Sequence, residues 1–314
     1  MIRTENLTKD YGNDRGIFDV NLEIPKGEIY GFIGPNGAGK TTTIKALCGL
    51  LKPSSGKAFV GDVEVKPRNN QKVKRLIGYM PDKYGVYEQM SVWEYLDFFC
   101  AAFRIPSKHR EARIRDALKL TESEYMLDYR MGSLSHGMNK RIALARTLLH
   151  DPQIVIMDEP ANGLDPHGRI EMRNMIKRLR EYGKTILLSS HILPELSSVC
   201  DRVGIIEKGR LMAQGTVKEI VKGLQEQIIL SIMVGGKAEE AAQICREFEN
   251  VQETSVADNE LRIIFNGTRE MIADLNAELV KNGISVFSFK EEEGDLEEVF
   301  LQVTGRQDAG EPEA

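Results

Sequence analysis

The sequence predicts an α/β protein: a mostly parallel sheet covered by helices, interrupted by a helical insertion and followed by a small α+β appendage. Three observations predict it. An apolar run at 27–33 leads into the glycine-rich stretch Gly34-Pro35-Asn36-Gly37-Ala38-Gly39-Lys40-Thr41 and then into a helical pattern. Apolar strand-like segments return at 154–157, 185–189 and 203–207, separated by helical stretches, which is the alternation of a parallel sheet. From about residue 225 the pattern restarts as strand, helix, strand, strand, helix, strand, the order of a ferredoxin-like unit.

Taken in order, residues 1–33 read as short strands with turns, with Asn21-Leu22-Glu23-Ile24 alternating before the turn Pro25-Lys26-Gly27. After the glycine-rich loop, Ile44, Leu47, Cys48 and Leu51 recur at i, i+3, i+4 and i+7, one apolar helix face. Strands follow at 58–65 and 76–80. The helical insertion, about 88–150, opens where Ser91 and Glu94 have the spacing of a capping box before an aromatic helix at 93–103. Pro106-Ser107 opens another helix, and Thr121 with Glu124 repeats the capping pattern. In the second half, strands are expected at 228–234, 251–256, 261–265 and 284–289, and helices at 238–248 and 269–281. A closing helix is expected at 294–303. The domains are thus 1–222 and 225–304, with a disordered acidic tail at 305–314.

The chain has 314 residues, enough for two domains and a sizeable core. Its formal charge of −5 gives no global cationic field for nucleic acid or anionic lipid. Cys48, Cys100, Cys200 and Cys245 are scattered without a CxxC pair, so they read as buried small hydrophobes and not as a zinc site or a disulfide framework. The start of the chain lacks the apolar core of a signal peptide, and no apolar run reaches the length of a membrane span. A soluble, cytoplasmic protein is expected.

The chemistry is densest in the glycine-rich loop. Glycines let successive backbone N–H groups converge on phosphate oxygens, and the following helix start adds free donors and a positive dipole end. Lys40 has the position to reach the β- and γ-phosphates, the Thr41 hydroxyl to hold Mg²⁺, and Thr42 continues the cradle. The strand Ile154-Val155-Ile156-Met157-Asp158-Glu159 ends in two carboxylates at the edge where the loop lies. Asp158 there suits a hydrated Mg²⁺, and Glu159 suits an attacking water. In Leu134-Ser135-His136-Gly137-Met138, Ser135 is a good N-cap; with the Gly137 backbone and the helix start it also reads as a second anion site. A second clamp is superfluous within one chain and useful between two that face each other.

These segments resemble the nucleotide-binding subunit of an ABC (ATP-binding cassette) transporter, a P-loop NTPase cassette with a helical subdomain. Gly34–Thr41 matches the Walker A loop, 134–138 the L-S-G-G-Q signature, and 154–159 Walker B. Asn162-Gly163-Leu164-Asp165 looks like the D-loop, His191 like the switch histidine, and Tyr11 stands where the family stacks adenine. The match spans roughly 1–220 in family order. It implies ATP and Mg²⁺ as ligands, ATP hydrolysis served by Glu159, His191 and Asp165, and ATP-driven head-to-tail dimerisation with a second cassette, identical or different. It further implies an integral membrane permease as partner, a peripheral position on the inner face of the cell membrane, and export. The appendage and the Leu296-Glu297-Glu298-Val299-Phe300 ending are similar to exporter ATPases encoded apart from their permease.

Three residues depart from the family pattern. Asp82 replaces the Q-loop glutamine, and a shorter, anionic side chain there is expected to touch nucleotide-bound Mg²⁺ or its water. His136 and Met138 replace a glycine and a glutamine of the signature, so contact with phosphate there would run through Ser135, His136 and the Gly137 backbone. A non-transport ABC ATPase acting on nucleic acid or ribosomes is the alternative, opposed by the acidic balance and the single cassette. A generic P-loop kinase or GTPase is opposed by the signature itself and by Asn139-Lys140-Arg141-Ile142, which lacks the aspartate of a guanine motif.

Overall fold

The strand that leads into the glycine-rich loop lies inside a six-stranded sheet. A computed structural model of the chain describes residues 1–192, 196, 198–224 and 228–291. Strands β1 (Ile2–Asp10), β2 (Gly16–Val20) and β3 (Glu23–Ile24) precede β4 (Ile29–Ile33) and helix α1 (Lys40–Leu47). The hairpin β5 (Ser55–Val60) and β6 (Val63–Glu64) follows, then α2 (Asn70–Leu76) and β7 (Ile77–Met80). The insertion holds α3 (Val92–Ala102), α4 (Ser107–Leu120) and α5 (His136–Leu148). Strand β8 (Ile154–Asp158), helix α6 (Pro166–Glu181) and strands β9 (Thr185–Ser190), β10 (Arg202–Glu207) and β11 (Arg210–Thr216) complete this part.

The main sheet runs β11-β10-β4-β9-β8-β7, parallel throughout except for the antiparallel edge strand β11. Every residue of β4, β8 and β9 is buried. That is why these strands read as continuous apolar runs: helices or a second layer cover both faces of a parallel sheet. The carboxyl ends of β4, β7, β8 and β9 therefore open on one side.

A second, antiparallel sheet forms from β2, β1, β5 and β6, with β3 also paired to β1. It packs against α1 through a common core that includes Ile2, Leu7, Ile17, Val60, Ile44 and Leu47. The single strand expected at 58–65 is two strands, folded back at Gly61, whose φ is +58°. The capping box at Ser91 is present in full: Ser91 Oγ accepts from the Glu94 N–H at 3.2 Å, and Glu94 Oε2 accepts from the Ser91 N–H at 2.8 Å. The similar pattern at Thr121 is not a cap. Thr121 is fully buried at the end of α4, and its hydroxyl donates back to Ala117 O at 3.1 Å.

The chain divides into two compact units, the first Met1–Val217 and the second starting at Lys218, inside the helix Val217–Leu224. The second unit contains β12 (Ile228–Val234), the helix Ala238–Glu247, β13 (Val251–Ala257), β14 (Glu260–Phe265), the helix Arg269–Lys281 and β15 (Val286–Glu291). Its sheet is antiparallel in the order β13-β14-β12-β15. Leu230, Ile232 and Val234, alternate residues of β12, form its core with Ile263, Phe265 and Leu275. The closing helix expected at 294–303 and the tail at 305–314 lie outside the described residues. Among the described residues no helix is long and apolar enough to cross a membrane.

Candidate nucleotide site

The loop between β4 and α1 has a shape only glycines permit. Gly39, the residue before α1, has φ +111°, and a Cβ on Gly34 would lie 2.3 Å from Ile206 O. No side chain caps α1, so its first N–H groups and the positive end of its dipole face the loop. Lys40 is 6% exposed; its Nζ donates to Gly34 O and, at 3.3 Å, to Pro35 O. The same ammonium lies 3.2 Å from Glu159 Oε1.

Strands β8 and β9 supply the opposing chemistry. Asp158, 3% exposed at the end of β8, accepts two hydroxyl hydrogen bonds: Thr41 Oγ1 on Oδ2 at 2.8 Å and Ser189 Oγ on Oδ1 at 2.7 Å. Glu159 follows with φ +50°, a left-handed conformation uncommon for a side chain of its kind. Its backbone is held on both sides. The N–H donates to Ser189 Oγ at 3.1 Å, and the carbonyl accepts from Lys140 Nζ at 3.2 Å. The carboxylate so aimed meets His191 Nδ1 at 2.9 Å through Oε2. Its Oε1 is buried and, although near Lys40, accepts no hydrogen bond from the described residues.

These groups surround a cavity of about 830 Å³, lined by Tyr11, Pro35, Asn36, Gly37, Gly39, Lys40, Thr41, Thr42, Asp82, Glu159 and His191 among the expected residues. Tyr11 is 55% exposed at its rim, with Lys9 Nζ 5.4 Å from the ring centroid. Gly34 and Ala38 belong to the loop but not to the lining, and Asp158 lies behind Thr41. The remaining expected residues stand elsewhere. Ser135 caps α5, accepting from the Met138 N–H at 3.3 Å, and Gly137 sits in that helix's first turn. His136 Nε2 lies 3.2 Å from Asn162 O, and Asp165 caps α6 by accepting from the Gly168 N–H at 2.8 Å.

Several side chains at the site were not singled out from the sequence. Asp14, Arg15, Lys83 and Lys208 also line the cavity, beside Asn162 from the stretch that resembles the D-loop. The four charged residues lie on three loops, where an isolated charge has no periodicity to mark it. Lys140 is different: it is 1% exposed on α5, and it shares a stripe with buried Ala143, Leu144 and Thr147 at i+3, i+4 and i+7. A lysine inside an apolar helical stripe was a readable signal. Burial pushes its pKa down, and the Asp82 carboxylate at 3.7 Å is the largest charge opposing that shift.

The donor set fits a magnesium nucleotide. Thr41 and Asp158 present adjacent hard oxygens, which suit Mg²⁺, and the glycine cradle with Lys40 suits a polyphosphate.

Comparison with known proteins agrees with this chemistry. The ABC transporter family model matches residues 17–162. The chain is 32% identical over 311 residues to the linearmycin resistance ATP-binding protein LnrL of Bacillus subtilis, covering 98% of this chain and 99% of that protein. It is 33% identical over 307 residues to the bacitracin transport ATP-binding protein BcrA of Bacillus licheniformis, covering 97% of each. Among solved structures, cbiO1 of Clostridium perfringens, part of an ABC transporter complex, superposes with a TM-score of 0.64 at 28% identity. That likeness covers 71% of this chain and 93% of cbiO1.

Proposed function

The chain belongs to the family of ABC transporter ATP-binding proteins, and from that premise we propose that it hydrolyses Mg²⁺-bound ATP to drive export through a separate membrane permease. The observation that carries the reading is the Glu159 carboxylate. It is fixed by His191 on one oxygen, accepts no hydrogen bond from the described residues on the other, and is set beside the Lys40 ammonium in the cavity.

The residues divide the work as follows. The loop N–H groups and Lys40 hold the β- and γ-phosphates, with Lys40 exchanging its carbonyl and Glu159 contacts for phosphate oxygens. Thr41 and Asp158 would hold Mg²⁺, which neutralises phosphate charge when bound. Glu159 Oε1 accepts a proton from the attacking water or orients it, while His191 Nδ1–H donates to Oε2 and keeps the carboxylate turned inward. Tyr11 offers its exposed ring to the adenine.

Ser135, His136 and Gly137, which lie outside the lining, take the γ-phosphate of a second cassette in a head-to-tail dimer, and Asp165 shapes the adjoining loop. Such a clamp makes closure depend on the γ-phosphate, so that ATP and not ADP favours the dimer. The chain works at the inner face of the cell membrane through its permease, with no nucleic acid partner. The β-α-β-β-α-β order and the strand order of the second unit support a ferredoxin-like accessory domain from about 225 to 304. Support for export comes from relatives named for linearmycin resistance and bacitracin transport.

Affinity purification of the full chain from detergent-solubilised cells tests the transport reading. A polytopic membrane protein is expected in fixed stoichiometry. An ATP-hydrolysing preparation that retains ribosomes or nucleic acid instead would overturn it.

A further inference from the structure

We propose that Asp82 and Lys140 form a charge-neutral pair at the floor of the nucleotide cavity, in which Lys140 is a positioning residue for Glu159 and Asp82 is its counter-charge. The inference rests on the ATPase reading and adds two roles to it.

Three segments meet at this pair. Asp82 lies two residues beyond β7, Lys140 sits on α5, and Glu159 and Asn162 belong to the loop after β8. Lys140 Nζ lies 3.7 Å from Asp82 Oδ1 and donates to Glu159 O at 3.2 Å. Asn162 Nδ2 donates to the same Asp82 oxygen at 3.2 Å. Lys140 is 1% exposed, whereas Asp82 lines the cavity.

The electrostatics follow from that placement. A bare carboxylate facing a polyphosphate repels it, and next to protein that repulsion is screened less than in bulk water. The buried ammonium cancels the charge of Asp82, so the pair presents the site with a polar but neutral surface. That is the electrical equivalent of the amide which the family resemblance places at this position.

The ammonium also acts on Glu159. A left-handed φ of +50° persists only where the surroundings over-determine it. Ser189 fixes the N–H side of that residue and Lys140 the carbonyl side. Losing the Lys140 donor frees the peptide, and the carboxylate no longer stays aimed at its water. Lys140 thereby serves catalysis without touching substrate.

The two roles separate by mutation. Lys140→Met keeps length and apolar packing while removing both functions. Steady-state ATPase of the full chain should show kcat reduced about tenfold or more, as expected for a lost charge-assisted hydrogen bond, and KM for ATP raised severalfold. Adding Asp82→Asn to Lys140→Met removes the uncompensated charge, so KM should return to near wild type while kcat stays low. This double variant also guards against misfolding, because removing both members of a pair with one buried partner is milder than leaving one charge uncompensated. Half-saturating Mg²⁺ should be unchanged in the double variant. Unaltered KM in Lys140→Met, full recovery of kcat in the double variant, or a raised Mg²⁺ requirement that marks Asp82 as a metal ligand would each overturn the proposal. A wild-type chain that neither binds nor hydrolyses ATP would instead bring down the ATPase reading beneath it.

Discussion

His191 Nδ1 lies 2.9 Å from Glu159 Oε2, joining the residue just past β9 to the residue just past β8 across the mouth of the nucleotide cavity. The contact leaves one carboxylate oxygen for a water and fixes the other. Glu159→Gln keeps the side chain's shape and tolerates the same backbone, but an amide is a far poorer proton acceptor. ATP hydrolysis should fall by about 10²–10⁴-fold, the usual contribution of a general base, with ATP binding retained. Phosphate release and equilibrium nucleotide binding, measured side by side, check this. Undiminished turnover would remove Glu159 from its role.

Lys40→Ala acts on binding itself. The ammonium is the buried cation of the phosphate loop and stands between Gly34 O and Glu159. A hydrogen bond to a charged group contributes about 1.5–3 kcal/mol, so affinity for ATP should drop by about tenfold or more. Fluorescent-nucleotide displacement reads it directly, and wild-type affinity would exclude the loop as the site.

Thr41→Val preserves the volume of an exposed side chain that lines the cavity and deletes the hydroxyl that donates to Asp158 Oδ2. The expected outcome is a higher Mg²⁺ requirement for hydrolysis, with nucleotide binding in the absence of metal little changed. A magnesium titration at fixed ATP decides, and identical titrations for both proteins would leave Thr41 a purely structural neighbour.

Ser135→Ala should leave ATP binding to the single chain intact and impair ATP-driven dimerisation, since Ser135 caps α5 away from its own chain's cavity. The capping hydrogen bond is lost too, at a cost of about 1 kcal/mol in stability. Size-exclusion chromatography of Glu159→Gln with and without Ser135→Ala, in the presence of ATP, reads the clamp. Equal dimerisation of the two would refute it.

His150 sets a pH dependence of stability. Its Nε2 lies 3.0 Å from Ile77 O, so the proton sits on Nε2, while buried Nδ1 has no hydrogen-bond partner among the described residues. Its ring packs on Phe103 with centroids 4.5 Å apart. Burial pushes its pKa below the ordinary histidine value. As pH falls, the unfolded chain therefore takes up this proton before the folded one does, and folding is disfavoured. The contribution is present in full above about pH 6.5, the unperturbed histidine value, and is lost progressively as pH falls towards the lower folded-state pKa. His150→Gln, which keeps a donor for Ile77 O, should flatten the fall of the thermal midpoint across that window. Parallel curves for the two proteins would show that another group controls the slope.

Much of this molecule is legible in its sequence because the relevant signals are local. The buried strands β4, β8 and β9 announce themselves as apolar runs, and the glycine loop, Asp158, Glu159 and His191 each follow directly from one. The separate antiparallel sheet is not legible, since β1 pairs with β5 some fifty residues away and nothing in either strand names its partner. The patterns at Ser91 and Thr121 look alike on paper. Only Ser91 faces a helix start, while Thr121 is buried against the preceding helix, a difference made by packing. The cations Arg15, Lys83 and Lys208 converge on the cavity from three loops, and convergence is a property of the fold alone.

Helix α5 carries Ser135 at its start, Lys140 one turn in, and Arg146 near its end, where the guanidinium donates to Tyr95 Oη at 3.0 Å and lies 5.0 Å from the Phe99 ring centroid on α3. Thirteen residues make a rod about 20 Å long, stiff along its axis. The inward side of α3, the backbone carbonyl of Glu159 and the helix start that Ser135 caps are thus joined by one helix. By thermodynamic reciprocity, whatever coupling free energy such a rod carries from one end to the other is the same in both directions.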